Sequence, residues 1–185
     1  MSNNQQLPNL LLHCCCAPCA SYVLECLIPN YKVTLFFYNP NIEPSAEYEK
    51  RKDEISKLLG KMAPTSDVKK LDCNYDNAAF QNAVLSLREE PEGGKRCEVC
   101  FELRLRKTAE EAKAGKYDIF ATTLSVSPHK DAKQLNEIGS KLAKEYDIEY
   151  LISDFKKGEG YKRSVELSKK YDLYRQSYCG CLSNQ

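Results

Sequence analysis

Short apolar runs alternate with longer amphipathic stretches along most of the chain, and this alternation limits the fold more than any other feature. Five runs rich in Leu, Ile, Val, Phe and Tyr read as strands: Asn9–Cys14, Tyr31–Tyr38, Asp67–Asp72, Asp118–Thr123 and Glu149–Ser153. Between and after them, helical periodicity covers Pro18–Leu27, Ser45–Leu59, Asn77–Leu87, Glu98–Lys113, Lys130–Tyr146 and Lys162–Tyr174. Pro18 suits a first helical turn, where a missing N–H costs little. Strand–helix alternation predicts a mostly parallel sheet covered on both faces, a doubly wound α/β fold. With 185 residues and no repeat, linker or low-complexity stretch, residues 1–185 are expected to form one domain, ending in a short irregular tail at 176–185.

In such sheets ligands bind beyond the carboxyl ends of the strands. Here those ends carry His13-Cys14-Cys15-Cys16, Asn39-Pro40-Asn41, Asp72-Cys73, Thr122-Thr123-Leu124-Ser125 and Ser153-Asp154. The first strand-to-helix turn holds cysteines where nucleotide-binding folds hold glycines. No G-x-G-x-x-G or G-x-x-x-x-G-K-[ST] run occurs, which argues against a phosphate-cradling nucleotide site.

Met1 to Gln6 is polar and uncharged, and Leu10–Leu12 is too short for a secretory apolar region. No apolar run approaches membrane-spanning length. The chain is therefore expected in the cytoplasm. Ten cysteines are unusual there, and clustered cysteines in a reducing compartment point to metal or redox chemistry. Cys26 falls among Val23, Leu24 and Leu27 as a core residue would, and Cys73 is open to the same reading. The other eight come in three groups: Cys14-Cys15-Cys16 with Cys19, Cys97 with Cys100, and Cys179-Gly180-Cys181.

The Cys97–Cys100 pair opens a helix, where the helix N-terminus, Arg96 and a bound metal all favour thiolates. Two further thiolates from the first group complete four sulfur ligands, a set suited to zinc or to an iron–sulfur cluster. Adjacent cysteines at a strand end paired with a helix start make a poor zinc ribbon, which tilts the choice toward iron–sulfur. Cys19 lies three residues after Cys16, on the same helical face, and is open either to ligating a second metal or to pointing at the cluster. Cys14 is expected to pack on the other side of its strand. The tail pair reads either as a dithiol, able to store two electrons and two protons, or as a metal-binding or idle pair. His13 reads as a core histidine. His129 and, less directly, Asp131 and Asp154 are candidate proton donors near the expected cleft.

The net charge of +1 excludes a polybasic nucleic-acid binder, so any RNA contact must be local. Phe155–Arg175 carries seven basic and three acidic residues, a local charge of +4, with tyrosines interleaved. Cations for phosphate and aromatic faces for bases suit RNA, although a solvated helix with inward tyrosines has the same composition.

Several of these segments resemble one family, in order and over nearly the whole chain. They are His13–Cys19, Cys97-Glu98-Val99-Cys100-Phe101 with Arg104-Leu105, and Thr122-Thr123-Leu124-Ser125 with Ser127-Pro128-His129-Lys130. The fourth is Phe155-Lys156-Lys157 through Tyr174-Arg175-Gln176-Ser177-Tyr178-Cys179-Gly180-Cys181. Together they resemble the QueH-type epoxyqueuosine reductases. The resemblance implies an adenine-nucleotide-hydrolase-type Rossmann fold without nucleotide chemistry. It implies reduction of epoxyqueuosine to queuosine at the wobble position of tRNA, using a 4Fe–4S cluster, no cobalamin and an external electron donor. By the family pattern Cys15, Cys16, Cys97 and Cys100 hold the cluster, Cys179 and Cys181 form the redox-active pair, and Cys19 is the obvious ligand for a second iron. The usual pattern places an apolar residue ahead of Cys-Cys-Ala-Pro; here Cys14 fills that position. A zinc-stabilised RNA-binding module without catalysis is the main alternative, and a thiol oxidoreductase acting on proteins is a third.

Overall fold

The computed structural model describes residues 7–62 and 67–181. The N-terminal stretch Met1 to Gln6 and the last four residues of the tail lie outside them. Five strands form one parallel sheet: β1 (Asn9–His13), β2 (Lys32–Phe37), β3 (Lys69–Asp72), β4 (Ile119–Thr122) and β5 (Glu149–Tyr150). Their order is β3-β2-β1-β4-β5, and every pairing is parallel. Six helices cover it: α1 (Ala17–Leu27), α2 (Ser45–Lys61), α3 (Asn77–Ala83), α4 (Lys95–Ala114), α5 (Ala132–Tyr146) and α6 (Gly160–Lys170). The doubly wound α/β expectation holds.

β1 is the central strand, and Leu10, Leu11 and Leu12 are all fully buried, as a continuous apolar run in a two-sided parallel sheet should be. Leu10 and Leu12 join one core with α1 and α2 residues, and Leu11 joins the opposite core with α4 and α5 residues. Strand alternation thus divides a single run between two layers. Pro18 sits in the first turn of α1, where its ring meets no missing hydrogen bond. α6 packs against α1 through Gly160, where a Cβ would fall 1.9 Å from the Phe155 carbonyl oxygen and 2.4 Å from Tyr22.

Most boundaries shift by one to four residues from the sequence reading, α6 for example running Gly160–Lys170, and four of the shifts can be tied to local structure. α4 starts at Lys95, because extended Gly94 caps it and accepts from the Cys97 N–H at 2.9 Å; Cys97 therefore lies inside the first turn. α3 ends at Ala83 and is followed by a separate 3-10 turn, Leu85–Leu87. α5 starts at Ala132, since the Asp131 side chain accepts from the Lys133 N–H. β5 stops at Tyr150, because the Asn136 side chain captures both backbone groups of Ser153 and draws the chain off the sheet.

The winding reverses between β1 and β4, which lie side by side. Ligand crevices form at such a switch point, outside the carboxyl ends of the two strands. The turn after β1 carries Cys14–Cys16, and the segment after β4 carries Ser127–Lys130.

Candidate metal and redox centre

At the end of β1 the cysteines separate by direction. Cys14 is fully buried in the core beside α1, as expected. Cys15, Cys16 and Cys19 turn toward one another, with all three sulfurs within 4.8 Å. Cys16 precedes α1 and Cys19 lies in its first turn, so the start of the helix sets their common face. The Cys15 and Cys16 sulfurs are 3.7 Å apart, and the Thr123 hydroxyl donates to Cys15 at 3.4 Å. Hydrogen bonds from Cys16 and Cys19 pull the Cys15 thiol well below its ordinary pKa. Cys16 is pushed up to about 12, first by its bond to Cys15, and Cys19 rises for the same reason. Three sulfurs facing one another at this range are a donor set suited to a metal ion.

These three residues line a cavity of about 410 Å³ together with Arg104, Tyr161 and Cys179. Cys97, Cys100 and Cys181 line an adjoining cavity. Cys179, Lys130 and Tyr178 belong to the walls of both. The eight clustered cysteines are thus divided. Cys14 is core, three sulfurs form one close group, and Cys97 and Cys100 stand outside that group, next door with the tail pair. Burial raises Cys97 above the ordinary thiol value and pushes Cys100 up to about 11, outweighing the nearby cations. Cys181 packs against the buried cluster of Phe80, Val84 and Cys100.

Two arginines position this site. Neither has a role in the reading from sequence. Arg104, 2% exposed, donates from Nη2 to Asn39 Oδ1 at 2.6 Å and from Nη1 to Cys100 Sγ at 3.9 Å. Asn39 in turn donates to the Cys14 carbonyl, so the ends of β1 and β2 fix the guanidinium. Arg104 is four residues past Cys100 on one helical face, a spacing that could have flagged it. Arg51, also 2% exposed, pairs with Glu47 and donates to the carbonyls of Cys179 and Tyr178. The Glu43 N–H donates to the Gly180 carbonyl, and the Tyr178 hydroxyl to the Glu43 carbonyl. Gly180 has φ +136°, and a Cβ there would sit 2.9 Å from Ile42 Cγ1, so the docked tail requires glycine.

His13 is a satisfied core histidine. Its Nε2 lies 3.1 Å from the Tyr38 carbonyl, which only accepts, so Nε2 carries the proton and Nδ1 accepts from the Thr122 hydroxyl at 3.0 Å. Burial, then the charge of Arg104, lowers its pKa to about 3. His129 is exposed and borders both cavities. Asp131 lines only the second cavity and caps α5. Asp154 lines a separate groove with Lys133 and Asn136 and is not in the lining of either cysteine cavity.

The basic segment is largely paired within the protein. Lys162 meets Glu159, Arg163 meets Glu25 and Glu166, and the Lys156 ammonium donates to the Lys130 carbonyl. Tyr171, Tyr174 and Tyr178 are half-buried, whereas Tyr161 is 43% exposed at the first cavity with the Arg175 guanidinium 5.7 Å from its ring.

Residues 10–185 match the family described as Epoxyqueuosine reductase QueH. A protein of that name from Streptococcus pyogenes serotype M1 is 45% identical over 179 residues, covering 95% of this chain and 69% of its own. Another from Staphylococcus epidermidis is 40% identical, covering 95% and 75%. A third, from Thermotoga maritima, is 34% identical, covering 94% and 88%. A crystal structure described as a predicted subunit of tRNA methyltransferase from Methanocaldococcus jannaschii shares the fold, with TM-score 0.55 and 19% identity over 89% of this chain and 74% of that one. On its match over residues 10–185 and these identities, the chain belongs to the epoxyqueuosine reductase QueH family.

Proposed function

We propose that the chain reduces epoxyqueuosine to queuosine in tRNA, without cobalamin. In this reading Cys15, Cys16, Cys97 and Cys100 hold a 4Fe–4S cluster, Cys19 serves a second iron, and Cys179 and Cys181 are the redox-active pair. The observation that carries it is Cys179, which lies in the wall of both cysteine-lined cavities. The donor set suits the cofactor: the sulfurs of Cys15, Cys16 and Cys19 line one cavity and those of Cys97 and Cys100 the adjoining one, with Lys130 in the wall of both and Arg104 in the wall of the first. A bound cluster supplies one-electron transfer and Lewis acidity.

The chain's own groups complete the balance. Both carbon–oxygen bonds of the epoxide break, a carbon–carbon double bond forms, and the oxygen leaves as water. Two electrons and two protons come from the Cys179–Cys181 dithiol, which ends as a disulfide. An external electron donor returns it to the dithiol. Arg51, Tyr178 and Glu43 hold the pair at the cavity wall, and half-buried Lys130 and exposed His129 border the reacting space. Tyr161 and Arg175 offer a stacking face and a cation to an RNA loop at the mouth. A tRNA substrate assigns the chain to the cytoplasm. No helix among the described residues is long and apolar enough to cross a membrane.

The test is anaerobic purification with iron, sulfide and zinc quantified, followed by incubation with epoxyqueuosine-bearing tRNA and a reductant. About four irons and four sulfides per chain, with conversion to queuosine, are expected, and further iron marks the Cys19 site. Zinc alone, without conversion after attempted cluster reconstitution, overturns the reading in favour of a zinc-stabilised RNA-binding module.

A further inference from the structure

Arg104 is a large, fully enclosed cation, and among the described residues no carboxylate pairs with it. Its Nε has no hydrogen-bond partner. Arg51, equally buried, differs in having Glu47 at 2.7 Å. A guanidinium taken out of water without a counter-ion is strongly unfavourable, and proteins keep such groups only where another negative charge meets them. The groups around Arg104 that can carry negative charge are sulfurs: Cys100, which accepts from Nη1 at 3.9 Å, and Cys15 and Cys179, which line the same cavity as the guanidinium. They come from α4, the β1 turn and the tail, so one guanidinium faces all three cysteine groups. Arg96 is also buried, and among the described residues no carboxylate pairs with it, but its Nη1 is spent on the Arg88 carbonyl and its influence falls on Cys97.

We propose that Arg104 is a positioning residue, the fixed counter-charge of the cysteine centre. It stabilises the anionic metal–sulfur group held there and raises its reduction potential. The inference rests on the metal-centre reading above. Asn39 supplies the rigidity. It binds the guanidinium through Oδ1 and the Cys14 carbonyl through Nδ2, which locks the charge to the turn that carries Cys15 and Cys16. The planar fork spans Asn39 and Cys100 at once, which a lysine ammonium on a flexible stem does not reproduce. A fixed positive charge favours the more negative, reduced state of a metal–thiolate group, and hydrogen bonds to its sulfurs act in the same direction.

The experiment compares wild type with Arg104→Met, Arg104→Lys and Arg104→Gln as full-length chains reconstituted anaerobically with iron and sulfide. Reduction potential is read by a spectroscopically monitored titration, and metal retention by competition with a chelator. In the Met variant the potential falls and metal is held about 10- to 100-fold less tightly, the usual range for residues that support metal ligands. The Lys variant recovers the potential more than the retention. Arg106→Met, on the outward face of α4 with Glu102 and Glu145, leaves both unchanged. Should the Met variant not fold, Arg104→Gln removes the charge while keeping a donor. A charge-free variant with wild-type potential and retention overturns the proposal. If wild type takes up no iron, the reductase reading fails by itself. Competition for Zn(II) alone then tests Arg104: weaker zinc binding in the Met variant supports the counter-charge, and unchanged binding overturns it.

Discussion

The Nη1 group of Arg51 donates to the Cys179 backbone carbonyl at 2.9 Å, joining the buried side of α2 to the segment that bears the Cys179–Cys181 pair. The same guanidinium lies over the Tyr178 ring and holds Glu47, which accepts from the Tyr174 hydroxyl. Removing it leaves Glu47 half-enclosed without its cation and frees two tail carbonyls. Arg51→Ala is expected to cost about 3–5 kcal/mol, the range for breaking a buried pair. Urea unfolding measures that cost. Limited trypsin digestion should also cut at Arg175 sooner than in wild type. Unaltered digestion and stability would show that the tail docks by other contacts.

His13 sets an acid limit on stability. Its folded pKa of about 3 lies below the ordinary 6.5, because burial and Arg104 disfavour the imidazolium. The folded state keeps the ring neutral while the unfolded chain takes up a proton below about 6.5. This contribution is therefore complete above pH 6.5 and is lost as pH falls toward 3. Between pH 7.5 and pH 5 the loss is about 2 kcal/mol, by linkage from the two pKa values. His13→Gln should flatten the profile over that window, where few carboxylates titrate. A wild-type stability that stays level from pH 7.5 to 5 would contradict the buried neutral histidine.

The parts of the fold set by local pattern could be read from sequence, and those set by distant partners could not. Leu10–Leu12 reads as a buried strand and Pro18 as a first helical turn because each signal resides in the segment itself. The early end of β5 depends on Asn136, which is remote in sequence. The grouping of Cys16 with Cys19 follows from helical spacing, and Cys15 joins them because the strand ends in a turn. Arginines are ordinarily exposed. Burial of Arg104 and Arg51 becomes favourable only through Asn39, the cysteines, Glu47 and the tail, which no single segment reveals.

Tyr161 offers a test that separates the proposed RNA binding from the proposed redox chemistry. Its ring is the exposed member of the segment's tyrosines, and Arg175, held by the Ser168 hydroxyl, fixes its surroundings. Stacking of a base on an aromatic face contributes about 1–3 kcal/mol, roughly 5- to 150-fold in affinity. Tyr161→Ala should weaken binding of an anticodon stem-loop RNA by that factor, while Tyr161→Phe retains most of it. Iron content should be the same in both variants. Equal RNA affinity of the Ala variant and wild type would move the contact surface elsewhere.

Cys179 and Cys181 differ in surroundings although one residue separates them. Cys179 faces both cavities, whereas Cys181 packs beside Phe80, Val84 and Cys100. Such an arrangement suits a pair in which Cys179 meets the reacting space and Cys181 closes the disulfide behind it. Serine keeps the size of each side chain and cannot be oxidised to a disulfide. The Cys179→Ser, Cys181→Ser double variant should bind iron and RNA as wild type does. Its multiple-turnover rate should fall about 10²-fold or more, equivalent to roughly 2.7 kcal/mol in the barrier. Each single variant should show the same loss, because either serine prevents the disulfide. A double variant that sustains full turnover would remove the dithiol from the reaction and leave electron supply to the metal centre and its external donor.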